Sequence, residues 1–127
     1  MEIKDKTLPQ LLKRIASEIP NAPAQYSKDK TGKFQEILYK EVYENAKNFA
    51  GGLLDLGIKR GDHIGLISDN RKEWFQSDMG IMAIGAIDVP RGCDATEHDL
   101  RYILSFAECK TVVAENSNQV KKILGLK

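Results

Sequence analysis

Apolar residues along the chain fall into an irregular first half and a regularly alternating second half. Leu8, Leu11, Leu12, Ile15 and Ile19 recur at helical intervals, so one face of a first helix is predicted to meet a core. Thr7-Leu8-Pro9-Gln10 supplies its start, with a capping hydroxyl, an early proline and a Gln three positions beyond the Thr. Pro20 and Pro23 forbid its continuation. Two short extended segments, Ala24 to Ser27 and Phe34 to Leu38, flank Lys28-Asp29-Lys30-Thr31-Gly32-Lys33, where Gly32 can take a positive φ; a hairpin is predicted. From Lys40 the helical period returns, with Val42, Ala46, Phe49, Ala50, Leu53 and Leu54 on one face and Gly57 at the stop. Gly51 and Gly52 lie inside that helix at a cost of about 1 kcal/mol each relative to Ala, and close backbone packing against a neighbour is the expected compensation.

In the second half, strand and helix signals alternate. His63 to Ser68 reads as a short apolar strand, and Asn70, with Glu73 three residues on, is expected to cap a helix carrying Trp74, Phe75, Met79, Ile81 and Met82 as far as Gly85. Ala86 to Val89 is the next strand, ended by Pro90. Thr96 caps a helix bearing Leu100, Ile103, Leu104 and Ala107, Thr111 to Ala114 forms a third strand, and Ser117 opens a last helix with Val120, Ile123 and Leu124. Such alternation with right-handed crossovers implies a parallel sheet. The expected fold class is α/β, a three-layer doubly wound parallel-sheet fragment with an N-terminal helix and β-hairpin. Residues 1–57 hold helix, hairpin and helix, and residues 58–127 the βαβαβα layer, in a chain whose 127 residues amount to one domain at most.

Composition narrows the classes. With 42% hydrophobic and 29% charged residues the chain can bury a core. A balance of 19 basic against 18 acidic residues argues against a nucleic-acid partner, and Lys59-Arg60, Arg71-Lys72 and Lys121-Lys122, dispersed among acids, read as solvated faces. The most apolar stretch, Met79 to Ile87, is far shorter than the roughly 20 residues of a membrane span, and Met1-Glu2-Ile3-Lys4-Asp5 shows no signal-peptide run. Cys93 and Cys109 are too few for a disulfide framework, which agrees with a reducing compartment. The expectation is a soluble cytoplasmic protein.

Open parallel sheets bind ligands beyond the carboxyl ends of their strands, here near Asp69 and Asn70, Pro90 to Asp94, and Glu115 and Asn116. No Gly-x-Gly-x-x-Gly follows a strand, and the spacing of Gly80 and Gly85 lacks the following Lys and Ser/Thr of a phosphate loop. Asp62 reads as a turn residue and Asp69-Asn70 as structural capping. Cys93 lies five residues before His98, so a thiol nucleophile is conceivable, but no third orienting group is present and an inert thiol is the better reading. Cys93, His98, Cys109 and His63 lack the paired spacing of a zinc site. Trp74 and Phe75 are expected to pack in the core in preference to lining an apolar tunnel. From the residues alone, no catalytic, cofactor-binding or metal-ligating residue is assigned.

Taken in order, Tyr39-Lys40-Glu41-Val42, Phe49-Ala50 with Leu53, and Gly57-Ile58-Lys59-Arg60-Gly61-Asp62-His63-Ile64 closely resemble the N-terminal stretch of acyl-CoA synthetases. Asn70 with Glu73-Trp74, Gly85-Ala86, Val89-Pro90-Arg91-Gly92 and Leu100-Arg101-Tyr102-Ile103-Leu104 resemble the long-chain fatty acid branch of this AMP-binding, adenylate-forming family. The family usually carries Thr or Ser where this chain has Leu38. The resemblance implies that residues 1–127 are an N-terminal fragment of the large AMP-binding domain of a long-chain fatty acid CoA ligase. It further implies that the full-length enzyme uses ATP, magnesium and coenzyme A to convert a fatty acid to acyl-CoA through an acyl adenylate, with peripheral membrane association as an option. Gly57, Gly61, Asp62, Asn70, Gly85 and Pro90 match motif positions with backbone roles. The phosphate loop, the nucleotide-contacting motifs and the catalytic lysine of the family belong to sequence beyond these residues. The fragment is therefore expected to be an inactive scaffold, with no cofactor of its own, that self-associates through surface left uncovered around Met79 to Ile87. The alternative is a stand-alone α/β ligand-binding or interaction module on the same scaffold.

Overall fold

The computed structural model describes residues 5–126, so the signal-peptide reading of Met1 to Asp5 falls, apart from Asp5, outside the described residues. The elements run α1 (Leu8–Glu18), β1 (Pro23–Lys28), β2 (Phe34–Leu38), α2 (Tyr39–Asp55), β3 (His63–Ile67), α3 (Lys72–Ala83), β4 (Ile87–Arg91), α4 (Glu97–Phe106), β5 (Thr111–Ala114) and α5 (Ser117–Leu124). β1 and β2 form the expected antiparallel hairpin. β3 is the centre of a parallel sheet ordered β4-β3-β5, with Ile64 opposite both Asp88 and Thr111.

Alternation along β3 divides the core between two faces. Ile64 packs with Leu53, Ile58, Ile81 and Ala86 beneath α2 and α3, whereas Ile67 packs with Ala95, Leu100 and Leu104 beneath α4. A third cluster, Leu12, Val42, Ala46 and Met79, joins α1 to α2 and α3. The fully buried Ile64, Ile67, Ile81 and Leu100 each contribute about 1.5–3 kcal/mol of apolar burial. Helices on both sides of a parallel sheet give the three-layer arrangement the alternation implied.

α2 ends as its sequence prescribes. Gly57 takes φ +88°, Ile58 N–H donates to Leu53 O at 3.1 Å, and the two buried side chains stand over the stop. The close approach expected at Gly51 and Gly52 occurs elsewhere. A Cβ at either would meet nothing within 4 Å, whereas a Cβ at Gly80 of α3 would lie 2.9 Å from Ala46 O and 2.8 Å from Phe49 Cδ1 of α2. Gly80 is what lets the two helices touch backbone to backbone.

Other local expectations need correction. Asn70 does not cap α3; the helix begins one residue later, behind Arg71, without a side-chain cap. Pro90 does not end its strand, because β4 runs to Arg91. Ile87 N–H donates to Asp62 O and Arg91 O accepts from Ser68 N–H, so the odd-numbered residues of β4 bond to β3 and Pro90 faces the open edge, where no N–H is required. Leu8, Ile19, Leu54, Val120 and Leu124 are exposed, and α5 buries Gln119 in place of Val120. The Met79 to Ile87 run is not uncovered surface either: Met79, Ile81 and Ala86 are core, and only its last residue, Ile87, is a large exposed apolar side chain.

Candidate functional site at the carboxyl end of the sheet

Three loops leave the carboxyl ends of β3, β5 and β4 side by side, and polar side chains tie them together. Asp69, after β3, accepts the Cys93 backbone N–H at 2.9 Å, which fixes the loop after β4. Cys93 Sγ donates to Glu115 Oε2 at 3.1 Å, reaching the loop after β5. Arg71 spans the same gap, 2.8 Å from Glu73 and 3.5 Å from Glu115. Arg91 pairs with Asp94 at 3.0 Å. From α5, Lys122 Nζ donates to the carbonyls of Cys93 and Ala95 at 3.1 and 2.8 Å, so this lysine is a strut and not the solvated charge its sequence context implied. Asn116 caps α5 by accepting from Gln119 N–H at 3.1 Å.

Electrostatics follow from these partners. Burial, and then the Glu115 carboxylate, push the Cys93 thiol up to about 11. It is a neutral donor at physiological pH. The thiol's hydrogen bond, aided by Arg71, holds Glu115 below the usual carboxylate range. Burial, which alone would raise Glu73, is outweighed by Arg71, so that it too stays ionised. His98, the imidazole a thiol enzyme would need, is exposed, and the sulfur's hydrogen-bond partner is a carboxylate. Donor atoms of Asp69, Cys93 and Glu115 lie within 4.8 Å of one another, but hydrogen bonds already join them into a brace.

Trp74 stands over this edge. It lines a recess of about 110 Å³ with Leu66, Ser77 and Glu115, and a wider shelf of about 390 Å³ with Ser68, Asn70 and Arg91. Phe75 instead packs against the α1–α2–α3 cluster. Asp62 closes a turn by accepting from Lys59 N–H at 2.8 Å. His63 Nδ1 meets Ala107 O, and together with Asp62 it lines a polar recess beside Glu108 and Lys110, apart from the Cys93 loop.

A carboxyl pair escaped the sequence reading. Asp88 on β4 faces Asp78 of α3, and burial, followed by that neighbour, pushes Asp88 up to about 8. Its Oδ1 is buried and accepts no hydrogen bond among the described residues. Spacing gives no hint of it, because residues 78 and 88 meet only through the strand register.

Doubly wound topology with helices on both faces of the sheet defines an α/β layer. The inhibitor-bound N-terminal domain of FACL13 from Mycobacterium tuberculosis superposes with TM-score 0.83 at 25% identity, over 95% of this chain and 29% of that one. VinN, solved with L-aspartate, gives 0.84 at 22% identity over 94% and 32%, a likeness of fold alone. The chain belongs to the AMP-binding enzyme family, whose profile matches residues 12–127. Curated relatives include the chloroplastic long-chain-fatty-acid acyl-carrier-protein ligase AEE15 of Arabidopsis thaliana, 35% identical over 69% of this chain and 12% of its own length. Fatty acyl-CoA synthetase A of Dictyostelium discoideum is 33% identical over 76% and 14%, and human long-chain-fatty-acid CoA ligase ACSBG2 28% over 94% and 18%. The chain thus spans 12–18% of the length of these relatives. No helix among the described residues is long and apolar enough to cross a membrane.

Proposed function

We propose that this chain is the N-terminal part of a long-chain fatty acid CoA ligase, and that by itself it is a scaffold without ligase activity. The observation that carries this reading is the family match across residues 12–127 together with relatives named as fatty acyl ligases. In the whole enzyme a fatty carboxylate oxygen would attack the α-phosphorus of ATP with loss of diphosphate, and the coenzyme A thiol would then attack the acyl carbonyl with loss of AMP; magnesium, when bound, would offset phosphate charge. Both steps need preorganised charge stabilisation. What the present residues contribute is a rigid edge: Asp69, Cys93, Glu115, Arg71 and Lys122 hold three loops in fixed relation, against which later elements of the enzyme complete a site. Cytoplasmic location, with peripheral membrane contact of the full-length enzyme, belongs to the same reading.

The test is calorimetric titration of the chain with ATP and magnesium. No saturable heat is the expected result, since residues 5–126 offer no glycine-rich phosphate cradle; micromolar binding overturns the scaffold reading. Gene sequence beyond residue 127 separates ligase from stand-alone module. Coding for a Ser/Thr/Gly-rich phosphate loop supports the ligase, and a stop codon directly after Lys127 supports the module.

A further inference from the structure

Away from the strand ends, α1 crosses α2 and α3 and leaves an apolar trough of about 240 Å³. Its floor is made by Leu12, Ala46, Ala50 and Met79, all buried. The trough exists because α2 presents alanines there: larger side chains at 46 and 50 would fill it. Two exposed lysines, Lys13 of α1 and Lys47 of α2, stand among its lining residues. Neither makes a hydrogen bond or ion pair among the described residues, although Arg14, next to Lys13, is held by Asp5 at 2.7 Å.

An apolar trough with two unpaired lysines among its lining residues is complementary to a single alkyl chain ending in an anion. Small-molecule pockets typically run from about 300 to 1,000 Å³, so this smaller volume suits a slender ligand such as one unbranched chain. We propose that the α1–α2–α3 trough binds a fatty carboxylate, its alkyl chain along Leu12, Ala46, Ala50 and Met79 and its head group at Lys13 and Lys47. This site lies on helices and shares no lining residue with the shelf at the carboxyl edge of the sheet. It is therefore separate from any reaction centre completed there, and the ligase reading stands or falls independently of it.

The experiment is titration of the chain, followed by NMR shift perturbation, with octanoate, decanoate, dodecanoate and neutral 1-decanol, each below its aggregation limit. One saturable site is expected, tightening at least about twofold per added methylene, against about fourfold for full burial. Ala83→Trp, a change at an exposed lining position, should weaken every ligand at least about tenfold by occupying the trough without unfolding the chain. Lys13→Gln combined with Lys47→Gln should weaken decanoate about fivefold or more and leave 1-decanol unchanged. Absence of saturable binding at millimolar carboxylate overturns the proposal. So does binding that survives Ala83→Trp, or that weakens equally for decanoate and decanol in the lysine variant.

Discussion

Gly80 and Gly51 occupy neighbouring helices under opposite constraints. At Gly80 a methyl group would press on the Ala46 carbonyl at 2.9 Å, backbone that cannot swing aside, so Gly80→Ala should destabilise by about 1–3 kcal/mol in urea unfolding. Gly51→Ala, with open space around its Cβ, should stabilise by about 0.5–1 kcal/mol through helix propensity. Equal effects of the two changes would contradict the helix contact described. A periodicity reading sees the cost of a helical glycine but not the neighbour that requires it, which is why the contact was expected at the wrong pair. The Asp78–Asp88 pair was invisible for a related reason. Since the folded-state value of Asp88 is raised to about 8 from 3.8, its contribution to stability is fully present below about pH 4 and is lost as pH rises through 8. Asp88→Asn should therefore match the parent near pH 4 and exceed it by at least about 1 kcal/mol at pH 9, allowing for solvent screening of a half-buried group. Parallel stability curves for parent and variant across that range would refute the assignment.

Among the elements, local chemistry was legible at several helix ends, although the cap expected at Asn70 does not form. Thr7, Thr96 and Asn116 cap their helices through side-chain oxygens, and Gly57 ends α2. Leu38, like Arg71, heads its helix without a side-chain cap. Glu41 still accepts the Leu38 N–H at 2.8 Å, but Leu38 has no oxygen for the return bond, so Leu38→Thr should raise stability by about 0.5–1 kcal/mol in thermal or urea unfolding. A loss greater than about 1 kcal/mol would show that its packing matters more. The two open edges of the sheet also differ, and only the register reveals it. On β4 the outward-facing backbone belongs to Asp88 and Pro90, and the proline offers no donor. On β5, Glu115 N–H bonds to Ile67 O, which turns Val112 and Ala114 outward with both groups free to pair. Self-association of the chain should thus run through β5. Ala114→Pro should lower the dimer population in sedimentation at least several-fold, whereas Pro90→Ala should not; association unaffected by the first change would place the contact elsewhere.

For the molecule as a whole, alternating strand and helix signals announced the three-layer sheet, and the ordered motifs announced the family, because both are written in short stretches of contiguous sequence. The loops of the carboxyl edge were legible too, but the side-chain network that joins them was not. Arg71, Cys93, Glu115 and Lys122 come from four separate segments and meet only after the strands align. That network is a brace, with a protonated thiol, ionised carboxylates paired to arginine, and a lysine spent on carbonyls. Its one thiol, Cys93, stays protonated against Glu115. We infer that these residues support a reaction they do not perform. The direct measurement is formation of acyl-CoA by the purified 127-residue chain supplied with a long-chain fatty acid, ATP, magnesium and coenzyme A, followed by mass spectrometry. No thioester above the protein-free blank is expected. Acyl-CoA accumulating in proportion to the concentration of the homogeneous chain would contradict it.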